Sequence, residues 1–117
     1  MRTIFYKNEP KIICTYSVCG PKEAEGSLGK FMDSKSDDDM FGEKTFEKAE
    51  CKCLFDAIKG VINKSQTEEG EIDTIIAGDL LNQIFSSTFA IRNFNTGYLG
   101  IYNACATFSE GLIIGAT

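Results

Sequence analysis

Three times along these 117 residues a β-rich run gives way to a segment of helical period, and that alternation limits the possible folds more than any other feature. Strands that alternate with helices are joined by right-handed crossovers into a parallel sheet, with ligand sites outside the carboxyl ends of the strands. The β-branched and apolar runs at residues 11–19 (KIICTYSVC), 72–77 (IDTIIA) and 98–103 (YLGIYN) predict those strands. Gly20-Pro21 closes the first and Gly78-Asp79 the second. Over residues 44–64, Phe46, Ala49, Cys53, Leu54, Ala57, Ile58, Val61 and Ile62 recur at spacings of three and four, which predicts one apolar helix face. Residues 80–93 predict a second helix, with Leu81, Ile84, Phe85, Thr88, Phe89 and Ile91 as its apolar positions and Asp79 placed to cap it. After the turn Asn95-Thr96-Gly97 and the third strand, Leu112-Ile113-Ile114-Gly115-Ala116 predicts a buried third helix. Residues 22–43 hold Gly26, Gly29, Gly42 and the run Asp37-Asp38-Asp39 without a sustained period, so they read as a long loop with room for a short helix.

The expectation is an α/β chain forming a single domain over residues 1–117, with no repeat and no interior boundary. Its last apolar helix reaches Thr117 without a capping signal or a basic last turn, the pattern of a truncated domain. The net charge of −5 argues against a nucleic-acid partner or an anionic lipid surface. Apolar stretches are only a few residues long, which predicts neither a membrane span nor a signal-peptide core and points to the cytoplasm. Five cysteines, an odd number at irregular spacing, then read as reduced thiols rather than a disulfide framework. Histidine is absent, which excludes a Ser-His-Asp triad, a Cys-His pair and a His-ligated metal site within these residues.

Cys105 is the sharpest candidate for chemistry. A thiol between a strand and a helix N-terminus has its thiolate favoured by unpaired N–H groups and the helix dipole, although free cysteines are also common as small buried hydrophobes. Cys51 and Cys53 lie two apart on a helix and point to different faces, so they do not make a metal site together. Cys14 and Cys19 fit burial in the first strand. Asp33, Lys35, Asp37, Asp38 and Asp39 fail the calcium-loop pattern, because Lys35 stands at a ligand position, and read as a solvated acidic loop. Asp79 has two readings, the cap of the next helix or a carboxylate facing a ligand.

Three segments carry a family likeness: Gly20-Pro21-Lys22-Glu23-Ala24-Glu25-Gly26-Ser27-Leu28-Gly29, Ala77-Gly78-Asp79-Leu80-Leu81-Asn82-Gln83 and Asn103-Ala104-Cys105-Ala106-Thr107. In order and spacing they resemble the signatures of the stage V sporulation protein AD family, a thiolase-like group of spore-forming bacteria. The resemblance implies a thiolase-like fold, here the N-terminal part of its first half, with three parallel strands alternating with helices. It implies a non-catalytic protein that binds dipicolinic acid, with calcium, for uptake into the developing spore. Such a protein would sit in the forespore, peripheral at the cytoplasmic side of the spore inner membrane, beside other proteins of the uptake system and without a cofactor. Residue by residue, Cys105 matches the thiolase-type cysteine, Asp79, Asn82 and Gln83 match the loop beside its pocket, and Thr107 completes the ligand set. The Ala-Cys-Ala turn is also similar to the nucleophile turn of ketosynthase III and thiolase enzymes, which implies an acyltransferase using Cys105 as the second reading. Where the family has further strands this chain stops, so Leu112, Ile113 and Ile114 would lie bare or pair with another copy in a homo-oligomer.

Overall fold

Of the β-branched run at 11–19, only Val18–Cys19 enters a ladder (β1) in the computed structural model, which describes residues 3–81 and 84–117. A strand needs a neighbouring edge to satisfy its backbone, and residues 11–17 share no ladder among the described residues. Ile12 and Ile13 are accordingly 74% and 82% exposed, where a buried strand was expected. After Gly20 the chain turns into a short helix, Pro21–Glu25 (α1), with proline in its first turn where a missing N–H costs nothing. A 3-10 turn at Gly29–Phe31 leads to Ser34–Lys35 (β2), which pairs parallel to β1 with Val18 opposite Ser34. The expected long loop is therefore partly structured.

The strongest period in the sequence becomes the longest element, Phe46–Ser65 (α2). Thr45 caps it: its hydroxyl oxygen accepts the Lys48 N–H, and Gln66 ends it in the left-handed region. Next come Thr74–Ala77 (β3), Phe85–Ile91 (α3), Gly97–Gly100 (β4) and Thr107–Gly115 (α4). β3 and β4 run parallel with Thr74 opposite Gly97 and Ala77 opposite Gly100, and the Ile101 N–H extends the ladder to the Ala77 carbonyl. The fold is α/β with short parallel strands, but its strands form two separate sheets of two rather than one sheet of three. The first sheet packs on α2, the second on α4, and α2 lies against α3. Among the described residues the buried ones are few: Cys19, Gly29, Ala49, Ala90, Ile91 and Ile101, with the polar Asp79, Ser86 and Ser87.

α3 begins five residues later than the apolar pattern predicts. Ile84 has φ of 53°, in a region closed to a right-handed helix and rare for a β-branched side chain, so the helix starts only at Phe85.

Candidate functional site

β3 and β4 deliver the chain to the same end of their sheet, where Gly78 and Asp79 follow one strand and Ile101 follows the other. Gly78 is required there by contact. A Cβ at this position would lie 2.1 Å from the Ile101 carbonyl oxygen and 2.7 Å from Thr107 Cγ2, so only glycine lets β3, the exit of β4 and α4 converge. Beyond Ile101 the chain makes the 3-10 turn Ala104–Ala106 and enters α4 at Thr107. Ala104 has φ of 45°, a left-handed backbone on a non-glycine residue, and it immediately precedes Cys105.

These pieces enclose a cleft of about 650 Å³ bordered by Asp79, Cys105 and Thr107, with Leu54 and Phe108 as apolar walls. Three of the five residues singled out from the sequence thus meet around one cavity. Asn82 and Gln83 lie outside the described residues. Cys105 is exposed and stands two residues before α4, at the helix entrance anticipated for it. Thr107 turns its hydroxyl back on its own loop, where Oγ1 accepts the Asn103 N–H at 3.1 Å.

Asp79 is 8% exposed and its carboxylate is committed to the backbone. Oδ1 accepts the Leu81 N–H at 3.0 Å, and Oδ2 accepts the Ser87 N–H in the first turn of α3 at 2.6 Å. It therefore satisfies an orphan donor of α3 from outside the helix while clasping the intervening loop. Ser87 extends the network: its hydroxyl accepts from Tyr98 at 2.9 Å and donates to the Ile84 carbonyl.

Glu50 is the site residue missed from the sequence. It projects from α2 to the cleft and accepts the hydroxyl of the fully buried Ser86 at 2.8 Å. Its signal was a carboxylate at position 50 on the stripe 46, 50, 54, 57, 61, which is otherwise apolar. Of the remaining cysteines, Cys19 is buried and Cys14, Cys51 and Cys53 are half-buried. Burial pushes the Cys53 thiol up, helped by Asp56 and Glu50, so it stays protonated and is a poor metal ligand. No cluster of three metal-ligating side chains occurs among the described residues. Asp38 serves its own loop, accepting the Met40 N–H at 2.6 Å and that of Gly42.

These features define an α/β protein with a cleft at the carboxyl ends of parallel strands, bordered by an exposed cysteine at a helix entrance. The family model of Stage V sporulation protein AD matches residues 1–117. The chain is also 32% identical over 98 residues to Stage V sporulation protein AD of Bacillus subtilis (strain 168), an alignment covering 84% of this chain and 29% of that relative. It belongs to the Stage V sporulation protein AD family, and it spans less than a third of the length of this relative. Among the described residues no helix is long and apolar enough to cross a membrane.

Proposed function

We propose that this chain is part of a sporulation protein with a thiolase-like fold that binds dipicolinic acid as its calcium chelate and holds it without turning it over. The observation that carries this reading is the charge of the cleft. Among the described residues its charged side chains are Glu50 and Asp79, both carboxylates. A bare dianion would be repelled there, whereas a calcium-neutralised one presents a cation to Glu50, whose second carboxylate oxygen accepts no hydrogen bond among the described residues. Leu54 and Phe108 offer apolar surface to the flat ring, and the Cys105 and Thr107 turn borders the same space. The same reading places the protein in the forespore, at the cytoplasmic side of the spore inner membrane, held there by other proteins of the uptake system.

Calorimetric titration with dipicolinate, with and without calcium, tests this. Saturable binding that requires calcium and weakens about tenfold in Glu50→Gln is expected. Calcium-independent binding, or no heat from a chain with protected amides, would overturn it.

A second reading is favoured by the left-handed Ala104 in front of an exposed thiol, a strained turn of the kind that presents nucleophiles. It makes Cys105 the acceptor in an acyl transfer: thiolate attacks the thioester carbonyl of an acyl-coenzyme A, and coenzyme A thiolate leaves. Intact-mass measurement after incubation with acetyl-coenzyme A separates the two, since only the acyltransferase reading expects an acetyl adduct that Cys105→Ala abolishes.

A further inference from the structure

Between α2 and α3 runs a second groove, of about 790 Å³ and larger than the Cys105 cleft. Its α2 wall is a single stripe in which Lys48, Lys52, Phe55, Lys59 and Ile62 follow at spacings of three and four. From 48 to 62 the groove follows four turns of helix, roughly 21 Å at about 1.5 Å per residue. Its floor is aromatic. Phe55 and Phe94 lie 5.4 Å apart between ring centroids and Phe85 and Phe89 4.6 Å apart, and the second pair is 45% and 43% exposed.

Cations stand over these rings: Lys59 Nζ is 5.7 Å from the Phe55 centroid and the Arg92 guanidinium 5.2 Å from that of Phe89. Among the described residues the ion pairs are Lys52 with Asp56 and Lys64 with Asp33, so Lys48, Lys59 and Arg92 have no carboxylate partner. Glu43 and Glu69 also border the groove, and its lining still carries more positive than negative charge. In a chain of net charge −5 this is a local reversal of sign, placed along an exposed aromatic floor.

We propose that this groove docks an acidic amphipathic helix of about four turns from a partner protein. The apolar face of that helix would cover Phe85 and Phe89, and its flanking carboxylates would pair with Lys48, Lys59 and Arg92. Length decides against a small anion, which would occupy one turn of the groove and leave the remaining rings in water. The proposal does not involve the Cys105 cleft and stands apart from the reading given for it.

Two fluorescein-labelled synthetic helices of about 16 residues test the proposal, one with leucines at i, i+3, i+4 and i+7 flanked by glutamates, the other with the same leucines flanked by lysines. Their anisotropy is followed on addition of this chain, of the variant Lys48→Glu/Lys59→Glu/Arg92→Glu, and of the milder Lys48→Gln/Lys59→Gln/Arg92→Gln in case the first does not fold. The glutamate helix is expected to bind saturably, about tenfold more weakly in either folded variant and more weakly in high salt. Equal binding of the lysine helix, no binding of the glutamate helix, or indifference to the variants would overturn the proposal. So would displacement of the bound helix by dipicolinate, which would make the groove a small-anion site. Self-association of the chain abolished by the same substitutions would reassign the groove to a second copy and overturn it equally.

Discussion

Asp79 spends its carboxylate on two backbone amides, and through them it sets where the loop after β3 runs and where α3 begins. Asp79→Ala removes a charged acceptor from two N–H groups in an almost closed site and is expected to lower stability by about 2–3 kcal/mol, read from urea unfolding. Asp79→Asn keeps one acceptor and should fall between. Hydrogen exchange at the Leu81 and Ser87 amides should speed up in both, whereas a carboxylate that served a ligand alone would leave those amides unchanged. Gly78 makes the complementary case. Gly78→Ala drives a methyl into the Ile101 carbonyl, a backbone atom that yields only by moving β4, and an overpacking cost of about 1–3 kcal/mol is expected. Both residues stood out in the sequence as a Gly-Asp pair closing a strand. That the aspartate is spent on amides six residues apart was not legible, because Ser87 and Leu81 share nothing in the sequence that links them to it.

At the scale of elements, α2 and α3 differ in what makes them helical. α2 carries its own instructions: a threonine cap, an apolar face sustained over five turns and a basic last turn. Thr45→Ala should therefore cost about 1 kcal/mol while Thr45→Ser stays near the wild type, measured by thermal unfolding monitored by circular dichroism. α3 is held from outside, by Asp79 on its first-turn amide and by Glu50 on Ser86, and its side-chain period overstates its length. The strands follow the same division. Residues 72–77 and 98–103 are β-rich and pair with each other, whereas the equally β-rich 11–19 contributes two residues, because ladder formation depends on a second edge being present.

Across the whole molecule, Asp33 ahead of β2 binds Lys64 in the last turn of α2 and accepts the Ser17 amide next to β1, tying the first sheet to the long helix. The Lys64 ammonium, then the Ser17 amide, hold the Asp33 carboxyl below its usual range, and Asp33 in turn raises Lys64. A lowered acid stabilises above its unfolded pKa and loses that contribution as pH falls through the folded value; a raised base loses its contribution as pH rises through its folded value. The pair should thus help across the neutral range and fade at both extremes. Because it is exposed the effect is small, and Asp33→Asn is expected to lower the urea midpoint slightly at neutral pH, with the difference vanishing in acid or in high salt. Apolar surface adds a second prediction at this scale: Phe108, Leu112 and Ile113 of α4 are 76%, 48% and 52% exposed. This chain should associate with rising concentration in sedimentation velocity, and Ile113→Glu should reduce that association. The sequence by itself determined the α/β class, the position of α2, the family and the candidacy of Asp79, Cys105 and Thr107, because period, turn chemistry and local motifs are properties of neighbouring residues. Only the tertiary structure decided that the strands form two pairs, that Glu50 reaches the cleft and that Asp79 clamps α3, because each depends on which distant segments meet and on the need to satisfy every buried polar group once they do.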